Sequence, residues 1–320
     1  MNMRSSNFNS AQCDARTGRA GFTLVEILVV IAIIGLLAAA SLVALSGARG
    51  FFRSATAKVR LDDVGRALEL YKQKFGEYPP DCRATDQEIR RHILKRWPKA
   101  LRNSAGIGAM VAAAKTEMRR TPGSAALFWL AGFPEDLPVA GSTEITKAYY
   151  GFFADPVDPF GLLIAEADKD SEPRIEPILE LTYDSTGKNN GNYNDAGFVF
   201  NGQVMAYFRA EPRGGYEFVG AEDTVIKDEI KTAWGAMFAT TCEFPVPYMK
   251  DGRWFNPDSY QLILPGEDGS YGGVCGHTEH EHEHGGFEPR DVNDPDSISL
   301  EDWDNITNFT DGATLDTAQD

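Results

Sequence analysis

The sequence predicts an α+β fold: a long N-terminal helix, membrane-spanning in its first part, packs its C-terminal half on a small antiparallel sheet, and a helical insertion lies between them. Three observations predict it. An apolar run with a single charge extends over 22–45 and leads into a segment whose apolar residues recur every three to four positions. A helical insertion, basic in its first part, follows over 83–148. From 149 to 320, short alternating runs separated by Gly, Asn, Asp and Pro read as strands and turns.

Residues 1–21 form a polar, basic leader with Arg4, Arg16 and Arg19, ending in Ala20-Gly21. The apolar run that follows is long enough to cross a bilayer as a helix, for which about 20 residues suffice. The basic leader would stay cytoplasmic, placing the C-terminal bulk outside. Glu26 is the one acidic residue in this run. A charge at mid-bilayer costs roughly 2.5–3.5 kcal/mol on insertion scales, so an intramembrane carboxylate points to function. A snorkelling carboxylate at the membrane surface is the plainer reading. An ordinary secretory signal would instead be cut after the apolar core, where Ala38-Ala39-Ala40-Ser41 offers small residues. That reading gives Glu26 no role.

The helix should continue through 46–82. Phe52, Val59, Val64, Leu68, Tyr71 and Phe75 form a stripe with one longer step, as an amphipathic helix requires. Gly76 and then Pro79-Pro80 give the stop. In the insertion, IRRHILKRWPKALR and GAMVAAAKTEMRR read as basic amphipathic helices, and TPGSAALFWLAGFP as an apolar one. Basic amphipathic helices lie on a membrane, bind a partner, or simply face solvent. His92 falls in this stretch and carries no ligand signature. Beyond 149, LLIAEA after the Asp158-Pro-Phe-Gly turn, ILELTYD, AGFVFNGQVMAYF and YQLILPG read as strands. Asn201-Gly202 is a strong hairpin signal.

A net charge of −16 argues against nucleic acid as a partner. The basic residues concentrate in 53–120, and acidic residues dominate after Pro134. Of the four cysteines, Cys13 lies in the leader, and Cys242 with Cys275 is the pairing favoured among Cys82, Cys242 and Cys275. No P-loop, dinucleotide-binding glycine pattern or nucleophile elbow occurs, so no enzyme activity is expected.

The string GFTLVEILVVIAIIGLLAAA resembles the prepilin signal of type IV pilins and of type II secretion pseudopilins. The resemblance implies that a prepilin peptidase cuts between Gly21 and Phe22 and methylates Phe22. Glu26 would then pair with the Phe22 amine of a neighbouring subunit during filament growth. The turn in YKQKFGEYPPD and the Asp158-Pro159-Phe160-Gly161 turn are similar to pseudopilin turns, although Leu163 stands where a proline is usual. The resemblance further implies a single-pass inner-membrane protein with a periplasmic head. It would assemble with copies of itself and other pseudopilins on an inner-membrane platform.

SYQLILPGEDGSYGG and DWDNITNF are similar to the two pieces that close around calcium in major pseudopilins. Carried over, Asp268, Asp304 and Asn305 become the calcium ligands, with a carbonyl near Leu264 or Pro265, and Ile306 and Phe309 become apolar anchors. Asn305 stands where the family usually has Asp. The Asn305 and Asn308 sequons are read as accidental. Between the pieces, His277, His280, His282 and His284 form a cluster suited to zinc or another transition metal. Its H-E-x-x-H spacing needs a helix to act as a protease site, and the flanking glycines argue for a loop. The alternatives are a type IV pilus pilin or minor pilin, and a membrane-tethered metal-binding head.

Overall fold

The computed structural model describes residues 23–102, 106–138, 145–149, 151–179, 193–194, 197–200, 203–216, 223–234, 245–266, 268–272, 289–294, 297–310 and 314–318; over 39–53 it describes the helical backbone alone. The chain divides into two compact units, Met1–Arg49 and Gly50–Asp320. Helix α1 runs Leu24–Phe75. Every described residue from 23 to 38 is exposed, including Leu24, Ile31, Leu36 and Leu37.

Among the described residues no helix is long and apolar enough to cross a membrane. The span expected over 22–45 is therefore not met within them, because that segment runs past Ala38 into the side chains outside the described set.

In the second unit α1 buries Ala57, Leu61, Val64, Leu68 and Tyr71. Those steps of four and three keep one face on the core. The expected stripe was partly wrong: Val59 is 58 % exposed, being off this face by its longer step to Val64. Gly76 adopts φ 79° and donates its N–H to the Lys72 carbonyl at 2.7 Å, ending the helix as read from the sequence. Tyr207 then donates its hydroxyl to the Pro79 carbonyl, fixing the turn to the head.

The insertion is helical and forms much of the core. α2 (Asp86–Arg96) starts with a capping box in which Thr85 and Glu88 satisfy each other's backbone N–H groups. Its apolar face buries Ile89, His92 and Ile93 while Arg90 and Arg91 stay exposed. A 3-10 turn (Pro98–Arg102), α3 (Gly106–Met118) and α4 (Ser124–Ala131) follow. All eight residues of α4 are buried, as its uniformly apolar sequence requires. Phe128, Trp97, Phe152 and Phe160 meet edge to face around it, with Phe128 and Phe152 centroids 5.3 Å apart. Such pairs add about 0.5–1.5 kcal/mol each beyond area burial.

His92 is a core residue. Its Nε2 lies 2.6 Å from the Tyr71 hydroxyl and its Nδ1 2.7 Å from Glu77. Burial pushes the imidazole down to about 4. The hydrogen bond from His92 pulls Glu77 down to about 2, against the effect of burial. The folded state therefore holds His92 neutral, donating from Nδ1 to the Glu77 carboxylate. Lowering the pH protonates the unfolded chain first: His92 stability is lost from its ordinary value of 6.5 down to about 4, and Glu77 stability from 4.5 down to about 2. The melting temperature should fall as pH drops through 6.5 to 4. His92→Gln should flatten that slope, and an unchanged slope in the variant would place the titration elsewhere.

The expected single small sheet is three. One is five-stranded and antiparallel in chain order: β1 (Pro134–Pro138), β2 (Ile145–Tyr149), β3 (Tyr193–Asn194), β4 (Gly197–Phe200) and β5 (Gln203–Val204). β1 and all of β2 but Tyr149 fall inside the stretch expected to be helical to 148. Phe200 pairs with Gln203 across Asn201-Gly202, as the hairpin signal predicts. The second sheet joins β6 (Ala206–Arg209), β9 (Tyr260–Leu264) and β11 (Ile306–Thr307), all antiparallel with β9 central. The third joins β7 (Tyr248–Lys250), β8 (Arg253–Trp254) and β10 (Arg290–Asp291), the last parallel to β7.

Two further expectations fail for physical reasons. LLIAEA is not a strand: the Asp158 carboxylate accepts the N–H groups of Leu162 and Leu163 at 3.0 and 2.7 Å, so they cannot join a ladder. A 3-10 turn (Glu166–Ser171) follows instead. Ile178 and Leu179 donate to the Leu130 carbonyl at 2.8 and 3.3 Å rather than pairing in a strand; the rest of ILELTYD lies outside the described residues. The sequence reading also missed α5 (Asp223–Trp234). Ile226, Ile230 and Trp234 repeat every four residues and pack on Cys82 and Val246. Cys82 is a buried free thiol. Cys242 and Cys275 lie outside the described residues.

Candidate functional site

At the N-terminal end, Gly21 and Phe22 lie outside the described residues, and Glu26 is at the surface in the first turn of α1. The Glu26 N–H donates to the Thr23 hydroxyl at 3.2 Å, and the Thr23 N–H reaches a Glu26 carboxylate oxygen at 3.4 Å. This is a capping box, and its Thr-x-x-Glu signature was legible in the sequence though unused. A carboxylate in the first turn also faces the positive end of the helix dipole. Glu26 therefore does local work at the helix start with one oxygen, leaving the other exposed.

The C-terminal motif assembles from two distant pieces, as expected. β11 pairs with β9 in the register Ile306 to Leu264 and Thr307 to Ile263. Asn308 doubles the junction: its side-chain oxygen accepts from Leu262 N at 2.7 Å, and its own N–H donates to the Leu262 carbonyl. Lys58 of α1 donates to the Thr307 carbonyl, and the Tyr260 hydroxyl donates to the Gly65 carbonyl at 3.2 Å. The motif is thus tied to the long helix from both pieces. Ile306 is buried in the main core and Phe309 stacks on Phe255 at 4.6 Å, the apolar anchoring expected of them.

The three expected calcium ligands come together at one loop. Asn305 is fully buried. Its amide nitrogen donates to the Tyr248 hydroxyl at 2.9 Å and to the Tyr271 carbonyl at 3.0 Å, while its oxygen accepts from Gly266 N at 3.2 Å. Asp304 lies under Gly266, where a Cβ would come within 1.9 Å of its carboxyl carbon, so only glycine fits there. Its Oδ2 accepts from Asp268 N at 3.4 Å, and Asp268 Oδ1 accepts from Ser270 N at 2.8 Å. Each side chain is thus turned to a backbone group of the loop. Among the described residues no three acidic, His or Cys side chains converge to hold a metal ion. Calcium takes six to eight oxygens, carbonyl and amide oxygens among them, and the oxygens of Asp304, Asn305 and Asp268 that accept hydrogen bonds here take them from backbone N–H groups of the loop. The cluster His277, His280, His282 and His284 lies outside the described residues.

A cation does face this loop: the guanidinium of Arg290, on β10. Its Nη1 donates to Asp302 Oδ1 at 2.8 Å and to the Tyr271 carbonyl, and its Nη2 donates to the Gly272 carbonyl at 2.7 Å. Asp302 is fully buried, and its Oδ1 also accepts from the Tyr248 hydroxyl at 2.6 Å. Its Oδ2 takes the Ser299 N–H and hydroxyl at 2.7 and 2.9 Å. Burial pushes the Tyr248 phenol well above its usual range, so it remains a neutral donor. Burial works against the Arg290 charge, but Tyr248 and Asp302 outweigh it and hold the guanidinium above its ordinary value. Sequence reading missed Arg290, Asp302 and Tyr248. Asp302 opens the DWDNITNF string, but nothing in spacing pairs it with Arg290 across the loop.

Residues 16–42 match the family model of the prokaryotic N-terminal methylation motif, the prepilin-type signal of type IV pilins and pseudopilins. No curated protein and no solved structure matches the chain.

Proposed function

We propose that this chain, which carries the prepilin-type signal, is a structural subunit of a pilus-like filament, anchored in the cytoplasmic membrane before assembly. The observation that carries this reading is the first part of α1. This helix exposes Leu24, Val25, Ile27, Leu28, Val29, Val30 and Ile31, an apolar surface left uncovered among the described residues. An all-round apolar helix belongs in a membrane or in a bundle of like helices. Subunits leaving the bilayer would exchange lipid for one another, with the heads outward. The Phe22 amine created by cleavage after Gly21 would meet the exposed carboxylate of Glu26 on a neighbour.

Among filaments, the type II secretion pseudopilus is favoured by the two-piece C-terminal closure of β9 with β11. A type IV pilus pilin or minor pilin remains the second reading. A membrane-tethered metal-binding head would rest on His277, His280, His282 and His284, which lie outside the described residues.

The test is the mass of the mature chain isolated from membranes of its host, with shearing to recover filaments. We expect an N-terminus at Phe22 bearing one methyl group, lost in Gly21→Glu, which should keep its leader. A mature N-terminus at Ser41 would mean ordinary secretion and end the filament reading.

A further inference from the structure

We propose that the Arg290 guanidinium is the cation that locks the C-terminal loop of this head, so that its closure is independent of any divalent metal. This goes beyond the filament reading and does not rest on it.

The Tyr271 and Gly272 carbonyls, on the loop after β9, converge on one buried point. Asp302 projects to the same point, and Gly272 must be glycine because a Cβ would sit 2.5 Å from the Asp302 carboxyl carbon. Two carbonyls and a carboxylate oxygen thus crowd together away from water, with the Tyr248 hydroxyl donating to the carboxylate. Left alone, that group of acceptors would repel itself and leave a buried charge unpaired, which is strongly destabilising. A cation must stand there.

Arg290 supplies it, and its shape suits the task. One arm of the planar fork bridges Asp302 and the Tyr271 carbonyl, and the other takes the Gly272 carbonyl. A rigid fork holds several directed donors, which a spherical ion does not. β10 delivers the residue through its parallel pairing with β7, where Arg290 stands opposite Tyr248. Tyr248 then passes the network to Asn305, whose amide grips both the Tyr271 carbonyl and Gly266 N. The neutral amide at Asn305 follows from the same arrangement. With the cationic charge already matched by Asp302, a second carboxylate at 305 would be buried in excess.

The guanidinium is covalently attached and does not deprotonate in proteins, so neither metal depletion nor ordinary pH change removes it. The experiment is thermal melting of the full-length chain in detergent at neutral pH, in excess EGTA and in millimolar calcium chloride. We expect the wild-type melting temperature to be the same in both buffers. Arg290→Met should melt lower in both, by on the order of 10 °C. If Arg290→Met yields no folded protein, Arg290→Lys, which keeps the charge and loses the fork, should melt between wild type and unfolded. The inference is overturned by a wild-type melt that calcium raises and EGTA lowers, with the calcium effect lost in Asp268→Ala and Asp304→Ala. It is also overturned by an Arg290→Met protein that melts like wild type.

Discussion

Replacing Glu26 by Val is expected to abolish filament assembly while leaving the head folded. The head's core starts at Ala57 and does not include Glu26, so head melting should stay within error of wild type. Assembly is another matter. If the Glu26 carboxylate pairs with the Phe22 amine of a neighbour inside the filament, its removal strands a buried positive charge, at a cost of about 3–5 kcal/mol. That corresponds to a drop of roughly two to four orders of magnitude in the subunit association constant. The capping box complicates Glu26→Val, because Val also removes the contact with the Thr23 N–H. Loss of a cap costs about 0.5–2 kcal/mol. Glu26→Gln separates the two roles, since an amide oxygen can still accept from Thr23 but carries no charge. Sheared polymer should therefore be lost in both variants. Polymer at wild-type level from Glu26→Gln would reduce Glu26 to a helix cap, and polymer from Glu26→Val would remove it from assembly altogether.

The second large effect lies where α1 hands the chain to the head. Arg83→Met should destabilise the head by about 3–5 kcal/mol, the cost of stripping one partner from a buried pair. Arg83 and Asp81 are almost fully buried, and two guanidinium hydrogen bonds at 2.9 and 2.6 Å join them, with a third from the Arg83 backbone N–H at 2.9 Å. The guanidinium also donates to the carbonyls of Arg209 and Tyr216, and Asp81 accepts the Arg209 N–H at 2.8 Å. One ion pair thus fastens the turn after Pro79-Pro80 to the end of β6. With Met in its place, Asp81 stays buried without its cation and two carbonyls lose their donor. Denaturant melts of wild type and Arg83→Met read the effect directly. A change below about 1 kcal/mol, the size expected of a surface pair, would show that water reaches this site and screens it.

The resemblance at the N-terminus was legible because it is local. The signal over 16–42 is a continuous string, and its Thr23 and Glu26 meet within a single helical turn. The same holds for the stop at Gly76, the Asn201-Gly202 hairpin and the helices of the insertion, each set by neighbours a few residues away. Even α5 was present in the spacing of Ile226, Ile230 and Trp234, and was passed over in a region read as sheet. LLIAEA misled because its apolar run is strand-like, while the carboxylate that takes its N–H groups belongs to the preceding turn.

The sequence by itself determined the long helix, the place where it ends, the helices that follow it and the two C-terminal pieces that would meet. Only the tertiary structure decided what holds those pieces together. Motif resemblance nominated Asp268, Asp304 and Asn305, but the direction of each side chain depends on residues far along the chain. Arg290 reaches Asp302 and the Tyr271 and Gly272 carbonyls only because β10 lies against β7. Short-range pattern fixes which backbone shape a segment adopts. The partner of a buried charge is chosen by packing, and packing brings together residues that no spacing in the sequence relates.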